Sequence, residues 1–171
     1  MSCCITDDER EAKQSNEALC AAETLTETNH CRRCGVHGRP VSRKTVLLML
    51  KADVLERAMS GSYSFCAARD CPVVYFEDAG IHQFTVDDLR IRVGLKVKDD
   101  PIPLCYCFGF DERDIRDDIS RTGNTTVPER ISRLIREGFC ACETRNPSGV
   151  CCLGEVNKAA KRLTMSTSSD V

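Results

Sequence analysis

The stretch Ile102–Ile119, IPLCYCFGFDERDIRDDI, sets two cysteines one residue apart at a seam between two patterns. Before them, two prolines favour extended backbone. After them the period changes. Asp111 is placed to cap a helix, and Ile115 and Ile119 stand i,i+4 on one face of it. Cys105 and Cys107 are too close to bridge each other without distortion. A C-x-C therefore needs partners from elsewhere in the chain, and where those partners lie decides how the second half folds.

The downstream sequence supplies them. Gly123 closes the first helix. TTVPERISRLIREG carries Thr126 and Glu129 in capping-box spacing and Pro128 in the first turn. Ile131, Leu134 and Ile135 share a face, and Gly138 marks the stop. Two short helices in antiparallel register would bring the chain back to where it left Cys107. There FCACETRNPSGVCC offers Cys140, Cys142, Cys151 and Cys152, with Asn146–Gly149 as a strong turn between them. LGEVNKAAKRL reads as a last short helix and TMSTSSDV as a polar tail. Four thiolates from two segments hold either a second zinc or a [2Fe–2S] cluster. The intervening helices favour the cluster, because they can cap a wider inorganic core.

Upstream, Cys31 and Cys34 form C-x2-C in CRRCG, and Cys66 and Cys71 form C-x4-C in CAARDC. Two such knuckles supply the four thiolates of a tetrahedral structural zinc site. A strand–helix–strand is expected between them, the apolar run TVLLMLK leading into a helix-like ADVLERAM. YSFC and CPVVYF carry strand formers on both sides of the second pair. HQFTVDDLRIRVGLK alternates in its second half as a half-buried strand does. His30 and His37 flank the first knuckle. They are substitutes for a zinc ligand or, with four cysteines already present, plain surface histidines.

Composition limits the choices. The chain has 171 residues, 13 cysteines, no Trp, three Tyr and six Phe. Thin cores of this kind need a metal or a staple. A net charge of −2 argues against nucleic acid. No apolar run is long enough to span a membrane. MSCCITDDEREAKQ lacks the basic and apolar regions of a secretory signal. An odd count of cysteines without an export signal reads as cytoplasmic, where thiols stay reduced and bind metal, rather than as a secreted disulfide scaffold. Cys3, Cys4 and Cys20 belong to neither set. The vicinal Cys3–Cys4 pair is either a catcher of Cu(I) or Hg(II) or part of an ordinary tail. The arginines at 113, 116, 130, 133 and 136 alternate with acids as solvated helix faces do. No nucleophile–His–acid set or phosphate loop is present, so the chain does not read as an enzyme.

The expected fold class is α+β. The parts are a polar N-terminal tail (1–29), a small β-rich zinc-binding module (30–98), a small helical [2Fe–2S]-binding module (102–163) and a disordered tail (164–171).

FCAARDCPVVYF, RVGLK, DPIPLCYCFGF and NPSGVCC, in that order, resemble the zinc- and [2Fe–2S]-containing N-terminal portion of CopZ-type copper chaperones over about residues 28–156. The helical half is also similar to the bacterioferritin-associated ferredoxin module, from which it departs in having Cys140 and Cys142 only one residue apart. The resemblance to the copper chaperones implies Cys105, Cys107, Cys142 and Cys152 as cluster ligands, Cys31, Cys34, Cys66 and Cys71 as zinc ligands, and Cys140 and Cys151 as non-ligands. That family's separate copper-carrying domain, with its M-x-C-x2-C loop, has no match in the sequence. Three functions follow as expectations. The first is a cytoplasmic metallochaperone-like protein that handles copper or mercury with a redox-active cluster and a metal-handling partner. The second is a ferredoxin-type electron carrier serving a reductase or a metal store. The third is a structural zinc module in a regulator, disfavoured because no basic reading helix is present.

Overall fold

A computed structural model describes residues 29–58, 60–79 and 82–167. Cys3, Cys4 and Cys20 lie outside them.

The β-branched and aromatic run Val73–Glu77 forms β3, the axis of the first half, with all five residues buried. It pairs antiparallel with β2 (Tyr63–Phe65) on one side and β4 (Gln83–Thr85) on the other, and β1 (Arg39–Val41) joins the far edge of β2. Full burial follows because both faces of β3 are covered. On one side Tyr63, Phe65, Val74, Tyr75 and Phe84 pack with Val46, Met49 and Leu50. On the other, Val73 and Phe76 pack with Cys31, Cys66 and Cys71.

Two strand expectations fail here. The TVLLMLK run is helical: α1 spans Arg43–Met49 and is capped by Ser42, whose hydroxyl accepts from Thr45 N–H at 3.0 Å. Thr45, Val46 and Met49 are its buried residues, a helical spacing that the short apolar run obscures. ADVLER follows as a 3-10 turn over Ala52–Arg57. In HQFTVDDLRIRVGLK the strand is the first half, β4, whereas Leu89–Lys96 is irregular. Leu89 and Val93 point inward as the alternation predicts. The Arg90 guanidinium, however, takes the Leu50 carbonyl at 2.7 and 2.9 Å, and Lys96 N–H turns back to Val93 O.

In the second half β5 (Pro103–Cys105) and β6 (Phe110–Asp111) form a tight hairpin that carries Cys105 and Cys107. Asp111 caps α2 (Glu112–Thr122) through a complete capping box with Asp114. α3 spans Val127–Arg136, α4 Cys142–Arg145 and α5 Leu153–Thr167. Both α2 and α3 pack on α5, so the expected hairpin is a three-helix arrangement. Ile115, Ile119, Val127, Ile131, Val156 and Ala159 form its core. Thr126 does not close a capping box; its N–H donates to the Asp118 carboxylate at 3.2 Å. α5 runs to Thr167, past the expected end at residue 163 and into the expected polar tail, where the Thr164 hydroxyl donates back to Ala160 O at 2.9 Å.

Among the described residues, three hydrogen bonds join the halves, alongside an exposed ion pair between Arg69 and Glu155 at 3.8 Å. Thr45 Oγ1 donates to Glu143 O at 2.6 Å, Tyr75 Oη to Pro147 O at 2.7 Å, and Gly94 N to Tyr106 Oη at 2.8 Å. Gly94 is required at this seam: a Cβ there would lie 1.8 Å from the Pro103 carbonyl oxygen. The whole is an α+β fold with a small sheet followed by helices.

Candidate metal centres

The first knuckle is a hairpin turn. Cys31 N–H donates to Val36 O, Gly35 N–H to Cys31 O, and Gly38 N–H to Asn29 O. Gly35 sits at φ +72°, the left-handed region such a turn needs. The second knuckle projects from the end of β2 and returns into β3. Together they bring the sulfurs of Cys31, Cys34, Cys66 and Cys71 within 4.8 Å of one another, the one group of three or more ligating side chains so arranged among the described residues. Cys31–Cys71 and Cys34–Cys66 are 3.9 and 3.6 Å apart. A tetrahedral zinc at ~2.3 Å from each sulfur sets its ligands about 3.8 Å apart, so these four positions fit zinc.

Backbone N–H groups aim at these sulfurs. Burial pushes the Cys66 thiol up to about 12, against an N–H bond from Ala68. Burial also raises Cys71, opposed by the Val73 N–H. At Cys34 burial acts upward too, but the Val36 N–H and the neighbouring sulfurs outweigh it, and the thiol lies below its usual range. These donors favour the thiolate, the metal-binding form, against the burial that opposes it. Lys96, which sequence reasoning missed, completes it. Its ammonium donates to Ala68 O at 2.6 Å and to Cys71 O at 3.1 Å, and its charge favours the Cys66 thiolate. It lies far from both knuckles in sequence, so no local signal marks it. His30 and His37 are exposed and stand apart from the four sulfurs.

The second set gathers under α5. Cys105, Cys142 and Cys152 are buried and Cys107 is half-buried against the same core. Cys107 and Cys142 sulfurs are 3.6 Å apart, and the Ala141 N–H points at Cys107 Sγ at 3.4 Å. The neighbouring Cys152 thiol lowers Cys105 to about 6, helped by the N–H groups of Phe108 and Cys107, and Cys105 in turn raises Cys152 together with burial. Burial lifts Cys142 to about 12, against the N–H of Cys152. The turn at Asn146–Gly149 is held by the Asn146 side chain, which accepts from Ser148 N–H at 3.0 Å and donates to Val150 O at 2.7 Å. Cys140 is half-buried and Cys151 exposed. A cleft of about 860 Å³ between the halves is walled by Phe65, Val93, Tyr106, Pro147, Cys151 and Cys152.

A four-stranded sheet with two cysteine knuckles brought together beside it fits a zinc-binding domain, and the CopZ-type zinc binding domain matches residues 28–90. The likeness extends beyond it. The copper chaperone CopZ of Archaeoglobus fulgidus is 30% identical over 143 residues, covering 78% of this chain and 67% of that one. The X-ray structure of the A. fulgidus CopZ N-terminal domain superposes with a TM-score of 0.62 at 28% identity, over 75% of this chain and 95% of the other. The chain belongs to the CopZ family of copper chaperones. Membership makes it a metal-handling protein and not an enzyme. No helix among the described residues is long and apolar enough to cross a membrane.

Proposed function

We propose that the chain is a cytoplasmic metallochaperone-like protein that handles a soft metal, copper or mercury, with the help of a redox-active [2Fe–2S] centre. In this reading residues 30–98 are a module built on zinc held by Cys31, Cys34, Cys66 and Cys71. Residues 102–163 are a module whose Cys105, Cys107, Cys142 and Cys152 hold the cluster. Copper as cargo is supported by the copper-chaperone relative.

The observation that carries the cluster assignment is the convergence of Cys105, Cys107, Cys142 and Cys152 on one core, with the Cys107 and Cys142 sulfurs 3.6 Å apart. The first set alone gathers within the compass of one ion. A set spread wider than the first suits two irons better than one zinc, and the donor set is all thiol. When bound, such a centre supplies reversible one-electron chemistry. The protein's part is to orient the four sulfurs, to direct N–H groups at them, and to exclude water from Cys105 and Cys152. N–H donors to ligating sulfur favour the reduced centre. The cleft beside Cys151 and Cys152 gives a metal-handling or redox partner a way in. A ferredoxin-type carrier, serving a reductase or a metal store, would use the same centre without cargo.

The test is spectroscopy and elemental analysis of full-length protein. The expected protein is red-brown, with about one zinc and two irons per chain. Dithionite gives a paramagnetic signal that single Cys→Ser changes at 105, 107, 142 or 152 destroy and that Cys140→Ser and Cys151→Ser keep. A colourless protein with two zincs would sink the cluster reading. Loss of metal transfer with the signal intact would separate the chaperone from the electron carrier.

A further inference from the structure

The knuckle hairpin does more than present Cys31. His30 and His37 face each other across it as antiparallel partners. The bonds on either side of them are Cys31 N–H to Val36 O and Gly38 N–H to Asn29 O, so His30 and His37 exchange none themselves. That makes them a non-hydrogen-bonded pair, the register position at which opposed side chains approach most closely. Side chains alternate along the ladder, so both imidazoles lie on the face opposite Cys31, which is fully buried among the thiols. Both histidines are exposed, and their ring centroids are 5.1 Å apart with the planes at 86°.

We infer that His30 and His37 form a second metal site, a two-imidazole chelate for a divalent first-row cation on the outer face of the knuckle. The spacing fits. A metal at 2.0–2.1 Å from one nitrogen of each ring lies about 3.2 Å from each centroid, and a tetrahedral angle between the two bonds sets the centroids about 5.2 Å apart. Imidazole pairs suit zinc, nickel and copper in the divalent state, whereas thiolates select Cu(I), zinc and iron–sulfur clusters. The hairpin is pinned by its own ladder, so little ordering cost opposes chelation. Water completes the shell on the solvent side. The site is independent of what Cys105, Cys107, Cys142 and Cys152 hold, and a zinc in the Cys31 set would only stiffen the hairpin that carries it.

Ni(II) is the probe, added to untagged, zinc-loaded, full-length protein, with the imidazole proton signals followed by magnetic resonance. The chain has three histidines, so His82 is an internal control. The expected result is that His30 and His37 signals broaden together below one equivalent while His82 stays sharp. His30→Gln and His37→Gln, with their zinc content verified, each raise the half-effect concentration about tenfold or more. Parallel broadening of His82, no broadening at one equivalent, or an unchanged response in either zinc-retaining variant would overturn the site and leave a packed ring pair. Should a variant lose zinc, the wild-type comparison of His30 and His37 with His82 still decides.

Discussion

At Lys96 a single side chain links the ends of two segments. Its ammonium closes on the carbonyls of Ala68, within the C-x4-C loop, and Cys71, at its end, and lies 5.9 Å from the Phe65 ring centroid. Four thiolates on a divalent ion leave two negative charges, and Lys96 is placed to offset part of that excess. Lys96→Met keeps the aliphatic packing and removes the charge and both hydrogen bonds. Zinc affinity, measured by competition with a chromophoric chelator, should fall about 10–100-fold, the range for outer-shell partners of a metal site. A variant that holds zinc as tightly as the parent would reduce Lys96 to a loop clip. The four gathered cysteines, Cys31, Cys34, Cys66 and Cys71, were legible from their spacing, the choice of Cys142 and Cys152 within the second set came only with the family resemblance, and Lys96, Tyr75 and Tyr106 carried no signal. Each of these acts on a residue distant in sequence: Tyr75 donates to Pro147 at the turn before Cys151, and Tyr106 accepts from Gly94.

Among the elements, those with local signals formed where the sequence placed them, and those decided by tertiary contact did not. Asp111, Ile115, Ile119 and Gly123 mark α2 within its own residues, and the helix begins and ends accordingly. The TVLLMLK run offers no polar break in its middle, so beyond the Ser42 cap at its start its helical state rests on packing against β2 and β3 through Val46 and Met49. The join between α2 and α3 also rests on a non-local group. Asp118 accepts from the Thr126 N–H, with Thr125 and Thr126 hydroxyls at 3.4 Å and Arg121 at 2.6 Å. The Thr126 N–H bond leads in holding its carboxyl below the usual range, with Arg121 assisting against burial. A depressed folded value means that the carboxylate's contribution is complete above the ordinary value of about 3.9 and is lost as pH falls through the folded one. Asp118→Asn should therefore cost about 1 kcal/mol at neutral pH. Its difference from wild type in denaturant titrations should shrink in acid. A difference that persists unchanged into acid would assign the effect to packing instead of charge.

Across the whole molecule, apolar burial falls into separate bodies. The sheet core and the knuckle core share β3, while the helical core has its own residues from Leu104 to Leu163. The knuckle core is the thinnest, with Cys31, Cys66, Cys71, Val73 and Phe76 buried. Thiols make up most of it, so metal ligation there contributes folding free energy directly. The helical core has five aliphatic side chains that need no metal to stay dry: Ile115, Ile119, Val127, Ile131 and Val156. Among the described residues, three hydrogen bonds, the exposed Arg69–Glu155 ion pair, the α1–α4 contact and the Gly94–Pro103 approach tie it to the sheet half. A chelator strong enough to strip the first site, and mild enough to spare the second, should thus act unevenly. Hydrogen exchange by segment is expected to rise first in residues 29–38 and 66–73, then through the rest of the sheet to residue 98. The amides of α2, α3 and α5 should remain largely protected. Tyr75 is the path by which loosening would reach the second set, since its hydroxyl holds Pro147. Tyr75→Phe should accordingly keep the helices protected while leaving the 146–152 turn exchanging faster before any chelator is added. Equal loss of protection in both halves after zinc removal would mean that the two cores unfold as one cooperative unit and that the seam is stronger than its three hydrogen bonds.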